Sequence, residues 1–531
     1  MNATNTHVGN EVHAGALLKV TSLLRRHMLM IALLALIAPS YFAWSWNAEL
    51  GQLGSDGPSY LMMANHYAHG NSGDPVYSDY ATYSRFPPLY PLLLAWSHAA
   101  DNFHLIHAVT TACLILALGA LYAWLLVQGL SPSESALLAF LFALIPGTWL
   151  AALTVQSEYL YLFWSLLALC LLTAQERSKN PHLLYAAGMA IAMAILTRSI
   201  GIALLPAFGL LLLRAPRRNA ILALLIAALP VLTWSLLHRS RAGYTDALAQ
   251  IYSRDGLSTL KSQLVNELPA LRQGFSGNFA LQDSLRWLFD VLGLLCLGAT
   301  LLRAIRTKPD AVYVVCNLAI LLVWPYPEEA QRFLWVLVPL LIAQPILLAT
   351  RPTTASYGSR GSQYLTAAAA AAILVGIIPA CALASDRYRA AFYTDLPESR
   401  FFVAWYGQDQ QHGWDVATMQ TAMMNSMRSI ADSVPATDCV IATRPDLINY
   451  LGRRRSYLAP LNSIPDPWFL RRVLASGCHF VFGMSTIDGR YPVPLFPVGR
   501  LGTNVKVILY NNIPDEHVGK SRLTSVLARL K

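Results

Sequence analysis

Charged residues are scarce. Asp, Glu, Lys and Arg make up 13% of the 531 residues, against about 25% in soluble domains. With 55% hydrophobic residues and a mean hydropathy of +0.42, the deficit excludes an ordinary soluble enzyme and points to a polytopic membrane protein. No CxxC pair and no Cys/His cluster occurs, which argues against a structural zinc site. Cys113, Cys170, Cys296, Cys316 and Cys381 lie in or beside apolar runs and read as small hydrophobes. No RNA- or DNA-binding motif is present. The net charge of +10 is scattered over short segments between apolar runs, so no nucleic-acid partner is expected. No internal repeat is apparent. The first apolar run lacks a small-residue cleavage site and reads as a retained anchor, not a signal peptide.

What the chain has instead is apolar runs near the length a bilayer demands, about 20 residues. They lie near 28–47, 104–128, 134–153, 159–174, 183–197, 201–213, 219–237, 285–303, 310–325, 331–349 and 363–384, or about eleven transmembrane helices. Residues 1–27 form a cytoplasmic N-terminal tail, because Lys19, Arg25 and Arg26 precede the first span. Inner loops then carry Arg177 and Lys179, Arg214, Arg217 and Arg218, Arg303, Arg306 and Lys308, and Arg351 and Arg360. The short outer turns carry Glu158, and Glu328 with Glu329. The alternation holds only if the short runs on either side of Arg198 are two spans; the other reading is one long broken helix.

The transmembrane unit covers 28–384, with outer loops at 48–103 and 239–284. Within the first loop, Tyr60 to Ala68 has helical spacing and is expected to lie flat on the membrane. Residues 385–531 differ in kind: polar turns and Pro punctuation separate short apolar runs at Cys439–Ala442, 479–482 and 505–510, with helical patterns at 415–433 and 466–476. Strands alternating with helices predict a small α/β domain, which span parity places outside the cytoplasm. Cys439 and Cys478 each open a predicted strand. Paired in an oxidising periplasm, or buried as free thiols, are both open readings.

Ionisable residues at span ends are the candidates for chemistry. Asp56, in Ser55-Asp56-Gly57-Pro58-Ser59-Tyr60, reads either as a general base at the water–lipid boundary or as a helix N-cap. Arg332, in Glu328-Glu329-Ala330-Gln331-Arg332-Phe333, fits a lipid phosphate with its planar fork. It equally fits an interfacial anchor or a partner of Glu328 or Glu329. Arg85 and Arg198 are weaker versions of the same idea, and Glu158 is either functional or a solvated helix start. Trp44, Trp46, Tyr159, Tyr161, Trp234, Trp324 and Trp335 read as an aromatic belt. His66, His69, His98, His104 and His107 cluster without matching a metal template.

Taken together, these features resemble a family. Asp56 with Tyr60 and Ala64, then Arg85-Phe86-Pro87-Pro88-Leu89-Tyr90-Pro91, Ser157-Glu158, Thr197-Arg198, and Arg332 near Pro339 are similar, in order and sidedness, to the GT-C superfamily of membrane glycosyltransferases. The nearest group is that of the aminoarabinose transferases, protein O-mannosyltransferases and RgtA/B/C/D-like enzymes. The resemblance covers about residues 28–350, and the C-terminal region resembles the periplasmic appendage of some members.

The resemblance implies an inverting transfer from a polyprenyl-phosphate sugar to a glycan, lipid or protein acceptor, on the outer face of a bacterial inner membrane. Asp56 would be the base, and Arg332 and Arg85 would hold the donor phosphate. Glu158, Tyr60 and Arg198 would contact substrate. Many relatives carry Asp-Glu where this chain has Asp56-Gly57, so no metal and no other cofactor is expected. Two alternatives remain at this point: an O-antigen-type polymerase or ligase using Arg241, Arg254 and Arg272 of the 239–284 loop, and a non-enzymatic lipid or solute transporter.

Overall fold

The computed structural model of the protein describes residues 26–46, 48–51, 56–69, 86–237, 256–279, 283–324, 329–350, 360–392, 410–459, 466–484, 498–515 and 520–531. Arg85, Arg241, Arg254 and Glu328 lie outside them.

By length and composition, six helices are able to cross a membrane singly: Arg26–Ser45, Phe103–Gln128, Glu158–Ser178, Arg217–Leu237, Ser284–Ile305 and Arg360–Ala382. A seventh candidate is the bent pair Pro132–Leu144 and Pro146–Ala152, broken by 61°. Shorter apolar helices occupy Pro181–Thr197, Ser199–Leu212, Pro309–Leu322 and Val338–Ala349. The long apolar runs between residues 28 and 384 are therefore helical, the run at 331–349 being divided into Ala330–Trp335 and Val338–Ala349, and the chain is a mostly helical integral membrane protein.

Burial separates inner helices from peripheral ones. The apolar windows of Phe103–Gln128 and Glu158–Ser178 are 61% and 67% buried, whereas that of Arg217–Leu237 is 11% buried and presents its leucines outward. Leucine facing lipid costs nothing, so an apolar sequence cannot by itself distinguish these positions.

The bend at 145–147 has a local cause. Pro146 holds Ile145 in an extended conformation (ψ 145°), which ends the first helix. At Gly147 a Cβ would lie 2.1 Å from Asn278 Oδ1 and 2.9 Å from Trp335. Only glycine admits that approach, and Gly147 N–H donates to the Asn278 carbonyl at 3.1 Å. At Arg198 the chain also breaks: the residue is extended (φ −147°), and a tight 3-10 turn follows over Ser199–Leu204.

The Gly57–His69 helix departs from expectation. It does not lie on a membrane surface, because Gly57 through Asn65 are all buried. It packs between the Leu89–Trp96 helix and the Pro445–Gly452 helix of the C-terminal region. Only its last residues, Ala68 and His69, are exposed.

Residues 439–530 contain a five-stranded mixed sheet in the order β2-β1-β3-β5-β4. Its strands are β1 (Cys439–Ala442), β2 (Arg455–Leu458), β3 (Phe480–Met484), β4 (Val505–Asp515) and β5 (Lys520–Leu530). β1 is parallel to β2 and β3, and β5 is antiparallel to β3 and β4. Alternation sorts the faces: Val440, Ala442, Phe480 and Phe482 join the core shared with the membrane helices. Cys439, Ile441 and Val481 join a second core under the Asp466–Ala475 helix. Cys439 and Cys478 form a disulfide between the β1 and β3 ends.

This region is fastened to the first loop at several points. Gln420 donates to the Gly51 carbonyl at 3.2 Å, Arg428 pairs with Glu49, and Tyr450 donates to the Ala100 carbonyl at 3.2 Å. Ser59 donates to Asp446 at 3.2 Å, three residues beyond Asp56.

Candidate active site

Three carboxylates converge on one guanidinium. Arg332 lies in a short helix, Ala330–Trp335. Its Nη2 donates to Asp56 Oδ2 at 2.9 Å, its Nη1 donates to Glu329 Oε2 at 3.2 Å, and its Nε donates to Glu158 Oε1. Arg198 Nη1 reaches the same Glu158 oxygen at 2.5 Å and the Ser157 hydroxyl at 3.3 Å. The Ser157 and Tyr60 hydroxyls are 3.0 Å apart. The Phe333 ring flanks both cations, with its centroid 5.3 Å from Arg198 and 5.7 Å from Arg332. Asp56, Tyr60, Glu158, Arg198 and Arg332 thus belong to one network.

Local structure sets each direction. Asp56 immediately precedes the Gly57–His69 helix and accepts Tyr60 N–H through its own carbonyl at 3.1 Å. Glu158 opens the Glu158–Ser178 helix, and Arg198 ends the Pro181–Thr197 helix. An aromatic wedge locks the Glu158 and Arg332 helices together. Trp335 Nε1 donates to Thr148 Oγ1 at 2.9 Å, Tyr159 donates to the Thr148 carbonyl at 2.7 Å, and the Tyr159 and Trp335 rings meet edge to face at 5.0 Å. Tyr60 packs against Phe86 and Tyr90, so the segment following Arg85 abuts the site.

The wedge corrects the aromatic-belt reading for three residues. Tyr159, Tyr161 and Trp335 are buried inside the protein. Their polar tips find partners there, Tyr161 with the Tyr313 hydroxyl at 2.9 Å, so none needs the interface. Of the histidines, His104 and His107 contact backbone carbonyls. Among the described residues, no group of three or more His, Cys, Asp or Glu is arranged to hold a metal ion.

Exposure grades the cluster. The Glu158 side chain is 2% exposed, Arg332 14%, Glu329 22% and Asp56 28%. Glu158 therefore grips Arg332 from the interior, while Asp56 and Glu329 hold its outward nitrogens. Glu158 Oε2 is buried without a hydrogen-bond partner among the described residues. Burial, with Asp56 adding to it, pushes the Tyr60 phenol up, so Tyr60 stays a neutral donor. Burial also raises Glu329, and Asp56 and Glu158 add to this against the opposing pull of Arg332.

The opposite end of the Glu158–Ser178 helix is basic. Arg214 and Lys308 approach Glu176 at 3.7 and 3.6 Å. A 21-residue helix is about 30 Å long, the thickness of a bilayer's hydrocarbon core. The carboxylate–guanidinium cluster and this basic end are therefore about one membrane thickness apart.

Residues 85–240 match the family described as dolichyl-phosphate-mannose-protein mannosyltransferase. The fold is similar to ArnT from Cupriavidus metallidurans bound to undecaprenyl phosphate, with a TM-score of 0.52 and 13% identity over 94% of this chain and 97% of that one. Residues 85–240 thus carry the likeness in sequence, and nearly the whole chain carries it in fold. The chain is also similar to the Archaeoglobus fulgidus oligosaccharyltransferase in complex with zinc and sulfate, with a TM-score of 0.50 and 13% identity over 93% of this chain and 73% of that one. No curated protein matches it in sequence. At such identity the two structural likenesses carry the fold only, so residue roles rest on this chain's own geometry.

Two features of this cluster exceed what the sequence suggested. Glu329 was readable only as one of two neighbours for Arg332, and it is a third carboxylate on the same guanidinium. The sequence marks Phe333 only by its place next to Arg332, an aromatic beside a cation.

Proposed function

We propose that this protein is an inverting glycosyltransferase of the GT-C type that moves a sugar from a polyprenyl phosphate to a hydroxyl of a glycan, lipid or protein acceptor. The acceptor oxygen attacks the anomeric carbon while the bond from that carbon to the phosphate oxygen breaks. Asp56 takes the acceptor's proton, and the leaving phosphate keeps the electron pair of the broken bond. The developing charge on that phosphate needs fixed cations. Arg332 supplies one and Arg85 is the second choice. Arg332 has five N–H donors, of which the carboxylates engage three. Glu158 Oε2 is an open acceptor for a sugar or acceptor hydroxyl, with Tyr60 and Arg198 holding its surroundings.

The observation that carries this reading is the convergence of Asp56, Glu158 and Arg332 on one point. Orientation follows the charge: the basic end of the Glu158–Ser178 helix faces the cytoplasm, so the cluster faces the outer side of a bacterial inner membrane. A count of about eleven spans then requires the shorter apolar helices to traverse the bilayer beside the six long ones and the bent pair, and residues 385–531 form a periplasmic α/β domain. The disulfide supports this side, since such bonds persist in oxidising compartments.

The Arg332 guanidinium engages one oxygen of each of these carboxylates, and no step is routed through a divalent metal. Transfer is expected to survive a chelator, and transfer abolished by chelation and restored by a divalent ion would refute that part.

The test is Asp56→Asn in the purified chain, with a panel of polyprenyl-phosphate sugars. Turnover should fall by about 10²–10⁴-fold, as for loss of a general base, while polyprenyl phosphate still binds. Near wild-type turnover would remove Asp56 as the base.

A further inference from the structure

Arg332 is held unequally on its two sides. From the interior, Glu158 accepts from Nε and is itself fixed by Arg198. On the open side, Asp56 pairs with Nη2 at 2.9 Å and Glu329 pairs with Nη1 at the longer 3.2 Å. A phosphate that uses the guanidinium's fork needs adjacent N–H donors on the outward edge, where bidentate pairing is strongest. Each outward nitrogen carries two N–H groups. Asp56 has to stay at hand as the base, which leaves Glu329 as the carboxylate in the way.

We propose that Glu329 is a placeholder at the phosphate position. Its carboxylate occupies the Nη1 side of Arg332, and it yields that contact, taking up a proton, when the lipid phosphate binds. This inference rests on Arg332 being the donor-phosphate residue.

Charge favours the exchange. Among the described residues, the network holds Asp56, Glu158 and Glu329 against Arg198 and Arg332. A phosphate entering without loss of a carboxylate charge would face a local excess of negative charge. The groups facing Glu329 are Arg332 on its own helix, Asp56 at the start of the Gly57–His69 helix, and Glu158 with Arg198 behind it. The Pro146–Ala152 helix, which packs on the same segment, has no ionisable residue. From the Gly256–Gly277 helix, Arg272 turns to Asp290 at 3.5 Å. Burial already raises the Glu329 carboxyl, so it protonates more readily than an exposed one.

Glu329 acts through Arg332, so it is a positioning residue, and its signature is a proton count. The full-length chain, in lipid nanodiscs, is titrated calorimetrically with a polyprenyl monophosphate in two buffers of different ionisation enthalpy, across about pH 6 to about pH 8. The wild type should take up more protons on binding than Glu329→Gln, the ligand's own titration being common to both. Wild-type affinity should fall as pH rises, and Glu329→Gln should bind on the order of tenfold more tightly at the upper pH. Glu329→Ala should shift in the same direction, which separates loss of the placeholder from a packing defect of the Gln variant.

Equal proton uptake in wild type and Glu329→Gln, or weaker binding by both variants, overturns the inference while leaving Arg332 its role. Lipid phosphate that fails to bind the wild type, or that binds equally well to Arg332→Gln, overturns the phosphate reading of Arg332 and this inference with it.

Discussion

Arg332 Nη2 donates to Asp56 Oδ2 at 2.9 Å across 276 residues of chain. That contact ties the proposed base to the proposed phosphate cation. It aims the carboxylate and neutralises part of its charge. A base held this way is pre-oriented, which is worth more to a reaction than its basicity alone.

Arg332→Lys should therefore not be conservative. Lysine keeps the charge but loses the fork that engages Asp56, Glu158 and Glu329 at once. Affinity for polyprenyl phosphate should fall by about 1.5–3 kcal/mol, the range for hydrogen bonds to charged groups. Turnover should fall as well, because Asp56 is no longer aimed. Wild-type kinetics in Arg332→Lys would mean the fork geometry is unimportant.

At the far end of the bundle, a second buried pair offers a control. Arg303 Nη2 donates to both Asp310 oxygens at 3.1 and 2.9 Å, and Gln344 bridges the two residues at 2.7 and 2.9 Å. Removing one partner strands a buried charge, at a cost of about 3–5 kcal/mol. Arg303→Met should lower thermal stability in detergent markedly, with transfer per folded molecule little changed. A selective loss of transfer at full stability would tie this end of the bundle to the chemistry.

Asp438 should make the C-terminal sheet acid-sensitive. Its Oδ1 accepts from Cys439 N–H at 2.8 Å and His479 N–H at 3.2 Å, and its Oδ2 lies 3.0 Å from His479 Nδ1. Burial pushes this carboxyl up, but the amide donors and His479 outweigh it and hold it below its ordinary value of 3.8. A depressed carboxyl contributes stability that is present above its unfolded-state pKa and lost as pH falls through the folded one. Limited proteolysis of the C-terminal region over falling pH should show opening in that acid window. Asp438→Ala should open at higher pH; identical profiles would assign the acid step elsewhere.

The disulfide should matter to catalysis through packing. β1 leads directly into the Pro445–Gly452 helix, which carries Asp446 to Ser59 and Tyr450 to the first loop. Cys439→Ser is expected to cost about 2–5 kcal/mol in this region and to lower turnover while polyprenyl phosphate binding is kept. Unchanged turnover after complete reduction would show that the C-terminal region does not position Asp56.

The helical architecture was legible because apolar length is a one-dimensional property. The runs from 28–47 to 363–384 became helical, and the break at Arg198 was visible as a polar residue between two short runs. β1, β3 and β4 were legible as short apolar runs. β2 and β5 were not: β2 carries partly exposed Arg455 and Ser456, and β5 buries Thr524 and Ser525. A polar residue that is buried by pairing leaves no hydrophobic signature. The Gly57–His69 helix misled for a related reason, since its spacing fits either a membrane surface or a groove between two helices.

The sequence alone determined that this is a membrane protein and which end of its helices is basic. It also marked out the ionisable residues at the other end: Asp56, Glu158, Arg198 and Arg332. Charge and hydropathy are properties of single residues, and they survive in the linear string. Only the tertiary structure decided that these four meet, that Glu329 joins them, and that Tyr159 and Trp335 lock the helices carrying Glu158 and Arg332. Partners 40 to 276 residues apart are brought to hydrogen-bonding distance by helix packing, and no local pattern in the chain encodes which helix faces which.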